Sequence, residues 1–253
     1  MSAQLIIPIL FGFFSGIFAN YLADVLPRNR HLTNPVCLDC GEIRSFSNFL
    51  SGKRCQACGK NIYFRYWLVN VASLILSLLV WFFPAGLIPY WGSLIVLTVF
   101  MSIIITDIEY HVILNQMSVT AFLVSFAAGW WLHGWLKTIL GGISGFLLFL
   151  GLYYLGRLFT RFMSRKRGEP VDEEALGFGD VYMAGAVGFL TGFPFIFPAL
   201  LAAIVFGGIV SAVVLITSLI RNSYEAFRAI PYGPFIISGG IFILYYYLIN
   251  PIK

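Results

Sequence analysis

Apolar residues run through this chain in long blocks separated by short polar segments, with little of the alternation that marks strands. Blocks of about 20 apolar residues suit a helix crossing a bilayer core of roughly 30 Å. They fall near 5–26, 67–83, 87–106, 112–131, 138–159, 180–191, 195–219 and 235–249. The segment 180–191 is the shortest, since only Thr191-Gly192-Phe193-Pro194 interrupts the apolar run that continues to Ile220. The pattern predicts an all-α polytopic membrane protein of about eight transmembrane helices. It divides into a first helix (1–26), a polar cysteine-bearing module (27–66) and a seven-helix membrane core (67–253). No basic residue precedes the first block and no small-residue cleavage site follows it, so it reads as a retained helix rather than a signal peptide.

Composition agrees with lipid as the main solvent. Of 253 residues, 59% are hydrophobic and only 11% charged, with a mean hydropathy of +0.87. Soluble domains carry about 25% charged residues. All but Lys137 and Lys253 of the 16 Lys and Arg fall after the first, fifth and seventh spans or within the module between spans one and two. The excess of basic residues in cytoplasmic loops therefore puts the module inside and both termini outside. Trp81, Trp91, Trp130, Trp131 and Trp135 collect near the expected outer boundary, as interfacial anchors do. The net charge of +5 is this loop bias; without an aromatic-basic groove pattern it does not point to nucleic acid.

All four cysteines occupy the polar module. Cys37-Leu-Asp-Cys40 and Cys55-Gln-Ala-Cys58 are C-x-x-C knuckles separated by 14 residues, each followed by a glycine. Two such knuckles match a tetrahedral zinc site with four cysteine ligands. Disulfides or a redox pair are the alternatives, but the module is expected in the cytoplasm, where thiols stay reduced. Arg44, Lys53, Arg54 and Lys60 would offset the thiolate charge. A loop of about forty residues buries little core, so metal is expected to hold it folded. With sulfur in every position the site would be structural. His31 is expected to be a surface residue rather than a competing ligand.

Most of the eleven acidic residues lie in polar loops, including the run Glu169, Asp172, Glu173 and Glu174 before the sixth span. Two stand apart. Asp107 ends the third span, where a carboxylate opposes the helix dipole. Asp180 opens the sixth span after Gly177-Phe178-Gly179, where an ordinary helix cap is the competing explanation. The expected topology puts both at the cytoplasmic membrane boundary, where ionisable groups are rare and usually functional. Two facing carboxylates in a poorly hydrated site share a proton. One can then take a proton from water while the other polarises a peptide carbonyl. His111, one turn after Asp107, is read as an interfacial histidine with a water partner, tuning of Asp107 being the alternative, while Glu109 is expected to matter much less than either aspartate.

These residues resemble the type IV prepilin peptidases, a family of GxGD membrane aspartyl proteases. Gly16-Ile-Phe18-Ala-Asn20 with Leu26-Pro27 is similar to the family's opening motif, and the paired knuckles to its cytoplasmic zinc module. Arg65-Tyr66 resembles the element closing that module. Asp107-Ile-Glu109 and Gly177-Phe-Gly179-Asp180 resemble the segments holding the two catalytic aspartates, and Pro231-Tyr-Gly233-Pro234-Phe235 the closing P-x-G-P-F. Val25, Asn70 and Tyr182 stand where the family usually carries Arg, Glu and Lys. The resemblance implies cleavage of the basic leader of type IV prepilins or pseudopilins at the bacterial cytoplasmic membrane by Asp107 and Asp180. It also implies N-methylation of the new N-terminus from S-adenosylmethionine, an activity tied to the cysteine module. The competing readings are a proton- or ion-coupled transporter using the same aspartates, a zinc scaffold without catalysis, and a presenilin-like protease. The first would need polar residues deep in several spans, the second leaves Asp107 unexplained, and the third lacks the cysteine module.

Overall fold

A computed structural model describes residues 2–61, 64–84, 88–167, 176–221 and 230–249. The described residues form nine α-helices and no strand, and divide into two compact units, Met1–Leu114 and Asn115–Lys253. Eight helices are long and the ninth, within the cysteine module, has five residues. The all-α class and the number of long helices agree with the sequence pattern. Among the described residues five helices are long and apolar enough to cross a membrane, and Gly233–Tyr246 is a shorter apolar one. The acidic run Glu169–Glu174 lies outside the described residues.

The first unit contains α1 (Ser2–Asn29), α2 (Phe46–Leu50), α3 (Phe64–Phe82) and α4 (Tyr90–Tyr110). Helix α1 packs on α3 through Gly12 and Gly16, where a Cβ on Gly16 would come within 2.8 Å of the Asn70 Cα. Small residues one turn apart let two helix backbones approach closely. Asn20, fully buried, donates from Nδ2 to the carbonyls of Gly16 and Tyr66, and Asn70 donates to the same Tyr66 oxygen at 2.7 Å. Ser15 and Thr98 join α1 to α4 at 2.7 Å. Ala19, Ala23, Val69 and Ile105 fill the space among the three helices.

The expected third span shifts by about one turn. Pro89 occupies the N-cap of α4, and the helix continues past Thr106 to Tyr110. His111 closes it in the left-handed conformation (φ 53°), its N–H donating to the Asp107 carbonyl at 3.0 Å. A left-handed residue after the last turn is a common way to satisfy a terminal carbonyl. His111 is exposed at the surface and stops the helix there.

The second unit is built around α7 (Phe178–Thr191), with α5 (Asn115–His133), α6 (Trp135–Arg167), α8 (Ile196–Ile220) and α9 (Gly233–Ile249) packed on it. At 14 residues α7 is about 21 Å long, short of a bilayer core. It has no need to reach, because ten of those residues are buried by its longer neighbours. A Cβ on Gly188 would lie 2.8 Å from the Gly141 carbonyl carbon, so α6 and α7 meet backbone to backbone. The 33 residues of α6 make about 50 Å of helix, well beyond the expected 138–159.

Candidate functional site

The cysteine module builds the same turn twice. In each knuckle the glycine N–H returns to the first cysteine's carbonyl: Gly41 to Cys37 and Gly59 to Cys55, both at 2.9 Å. Each first cysteine donates its own N–H five residues onward, Cys37 to Glu42 at 2.8 Å and Cys55 to Lys60 at 2.9 Å. Gly41 and Gly59 hold φ of +74° and +69°, a region costly for any residue with a Cβ. Both turns thereby aim their sulfurs at one point. All four Sγ atoms lie within 4.8 Å of one another, with Cys37–Cys58 and Cys40–Cys55 at 3.7 Å. Such separations are far beyond a disulfide of about 2.05 Å. The cluster is a candidate metal centre, and His31 is exposed and not part of it.

Thiol chemistry in the module is uneven. Backbone N–H groups of Cys58 and Ala57 directed at Cys55 lower its thiol to about 6. At Cys40 the Glu42 N–H also lowers, but loss of water and the neighbouring sulfurs outweigh it and push that thiol up to about 12. One sulfur is therefore prepared as a ligand, while its neighbour holds its proton until a cation displaces it.

The module is anchored to the helices. Phe49 of α2 is buried against Ile17 and Tyr66, and the Tyr66 hydroxyl lies 3.0 and 3.1 Å from the Phe49 and Leu50 carbonyls. Arg28, in the last turn of α1, donates to the Leu38 carbonyl inside the first knuckle at 2.9 Å. Lys60 pairs with Asp39 at 2.8 Å. Arg65, in the first turn of α3, pairs with Asp24 of α1 and, at 2.5 Å, with Glu109 of α4. The sequence alone gives no sign of the Arg65–Asp24 pair. The two residues are 41 positions apart, and no local spacing connects them.

Asp107 lies in the last turn of α4 and is 5% exposed. Asp180 is the third residue of α7 and 7% exposed. Gly177 is the N-cap, so Asp180 stands inside the first turn, its Oδ2 at contact distance, 3.5 Å, from the place a Cβ on Gly177 would take. Phe178 stacks edge-on against Tyr153 and Tyr182 at 5.4 and 5.2 Å. Tyr232 is a further residue of this surrounding. Burial pushes its hydroxyl up, and the Asp180 charge adds to that shift. The signal in the sequence was its place inside Pro231–Phe235, which marked a motif without assigning the tyrosine. The four cysteines come together, whereas Asp107 belongs to the first unit and Asp180 to the second.

The family's departures each have a structural reading. Val25 is fully buried, Asn70 is buried and hydrogen-bonded, and Tyr182 belongs to the aromatic group around α7.

Residues 93–212 match the type IV leader peptidase family. The chain is 26% identical over 200 residues to a prepilin leader peptidase/N-methyltransferase of Aeromonas salmonicida, covering 76% of this chain and 62% of that protein. A protein of the same description from Aeromonas hydrophila gives the same identity and coverage. One from Pseudomonas putida is 27% identical over 232 residues, covering 83% of this chain and 71% of its own length. The chain thus spans about 62% of the length of the Aeromonas relatives. No solved structure matches it.

Proposed function

We propose that this chain, whose residues 93–212 match the type IV leader peptidase family, removes the basic leader from type IV prepilins or pseudopilins at the cytoplasmic face of the bacterial inner membrane. The observation that carries this reading is that Asp107 and Asp180, both buried in a chain poor in acids, fall inside the matched segment. Asp180, in the first turn of α7, has the positive end of a helix dipole beside it, whereas Asp107 has the negative end of α4. One carboxylate of the pair, ionised, takes the proton of the attacking water, and the other, protonated, donates to the scissile carbonyl. Collapse of the tetrahedral intermediate breaks the C–N bond and returns a proton to the departing amine.

The resident metal is zinc in this reading. With Zn–S bonds of about 2.3 Å, the edge of a sulfur tetrahedron is about 3.8 Å, and the two measured separations are 3.7 Å. Cys37, Cys40, Cys55 and Cys58 would hold it, and four sulfurs leave no position for water, so its contribution is to fold the module. N-methylation of the product from S-adenosylmethionine is the second activity, carried by the relatives' descriptions and the cysteine module. The cavity bordered by Asp24, Cys37, Arg44 and Arg65 is about 20 Å³, room for a water but not for that donor. No step is assigned to it there.

The test is incubation of the purified protein with a prepilin, with and without S-adenosylmethionine, followed by mass analysis of the product. Leader loss should occur in both arms and a further methyl only with the donor. Asp107→Asn and Asp180→Asn should each lower cleavage by at least about 10³-fold, and the double variant should be scarcely worse. Cleavage by Asp180→Asn at near the unaltered rate would end the aspartyl mechanism.

A further inference from the structure

We infer that Arg65 is a positioning residue for Asp107, a clamp that fixes the rotation of α4 about its own axis. The inference rests on the assignment of Asp107 to the cleavage reaction. Arg65 stands at the start of α3 with its guanidinium between two carboxylates from other helices, Asp24 near the end of α1 and Glu109 in the last turn of α4. Its side chain is only 15% exposed, and that of Asp24 7%. Each guanidinium nitrogen that bears two hydrogens takes one carboxylate, so the three helix ends share one planar, rigid group.

Glu109 follows Asp107 by two residues. At about 100° per residue the two side chains leave α4 on nearly opposite sides. Holding Glu109 against Arg65 on one side therefore sets the direction in which Asp107 points on the other. A carboxylate projects about 6 Å from the helix axis, so a rotation of about 10° would displace it by roughly 1 Å. A misplacement of about that size costs on the order of 100-fold in rate. The clamp acts on the last turn of α4, which stops immediately afterwards at His111.

The remaining donor of Arg65, Nε, is buried without a protein partner, as is Nε of Arg44. Both residues border the small cavity that reaches Cys37, Leu38 and Asp39 of the first knuckle. With Arg28 holding the Leu38 carbonyl one turn beyond Asp24, the clamp is also where the cysteine module meets the helix that carries Asp107.

The test compares Arg65→Met, Glu109→Gln and the double variant in the full chain, each loaded with metal and assayed for prepilin cleavage. Arg65→Met should lower kcat by about 10- to 100-fold and Glu109→Gln by about 10-fold, with KM changed by less than about twofold. The double variant should match Arg65→Met, because the two groups act through one contact. Arg65→Lys, which keeps the charge but reaches one carboxylate at a time, should recover part of the loss. Should Arg65→Met fail to fold, Glu109→Gln carries the test alone, since it leaves the Arg65–Asp24 pair in place. Unchanged kcat in Glu109→Gln, effects that multiply in the double variant, or a loss confined to KM would overturn the clamp. Such results beside an inactive Asp107→Asn leave the cleavage assignment standing; an active Asp107→Asn removes that assignment instead.

Discussion

The Cys55 sulfur is supplied with two backbone N–H groups before any metal arrives, and this gives the module a measurable signature. With its thiol lowered to about 6, Cys55 is mostly thiolate at pH 7.5, whereas Cys40, at about 12, keeps its proton until metal displaces it. Metal uptake by the four cysteines at pH 7.5 should therefore release clearly fewer than four protons. Calorimetry in buffers of different ionisation enthalpy reads that number directly. Release approaching four would mean that the knuckle turn is not formed in the metal-free protein. As pH falls through 6, Cys55 regains its proton and competes with the metal, so affinity should weaken steadily on acidification. The sequence showed the ligands themselves through C-x-x-C spacing and the two glycines. It did not show which sulfur ionises first, because that follows from N–H directions in a folded turn. Glu109 is the reverse case: its partner is 44 residues away in sequence, and only the packing of α3 on α4 brings them together.

Among the eight long helices, the shortest carries the strictest packing demand. Helix α7 meets α6 without side chains between the backbones, and Gly188 and Gly141 set that distance. Gly188→Leu should therefore destabilise the second unit by at least the roughly 1–3 kcal/mol typical of overpacking, since backbone cannot yield as a side chain does. Gly151, also in α6, has nothing within 4 Å of its hypothetical Cβ. Gly151→Ala should be neutral or stabilising by about 0.5–1 kcal/mol, from helix propensity alone. Thermal melting of both variants in detergent checks the pair, and equal loss in the two would contradict the backbone contact. At this scale the hydrophobic pattern revealed where helices lie but not where they stop. Apolar runs have no marker for length when a helix is buried by protein, as α7 is, or when it continues beyond the apolar block, as α6 does. Caps were similarly opaque: Asp180 looked like the N-cap, but Gly177 takes that position and Asp180 stands in the first turn.

For the whole molecule, distribution of charge decides which side of the membrane meets the substrate. The cysteine module contains seven of the basic residues, from Arg28 to Arg65, whereas the short connection between α5 and α6 has Lys137 alone nearby. Cytoplasmic loops collect Lys and Arg because a positive segment is costly to move across the membrane against the potential. In the proposed reading a basic leader is retained on the same side for the same reason, so enzyme and substrate would be sorted by one rule. If that is how they meet, Lys137→Cys should react with a membrane-impermeant maleimide in intact spheroplasts. Ser51→Cys, at an exposed site within the module, should react only after lysis. Both positions lie beside existing polar residues, and neither substitution removes a candidate ligand or acid. Lys137→Cys also strengthens the existing bias rather than opposing it, so an inverted result could not be blamed on the variant. Labelling of Ser51→Cys in intact spheroplasts, with Lys137→Cys protected, would place the module opposite the leader and end the prepilin assignment whatever the aspartates do.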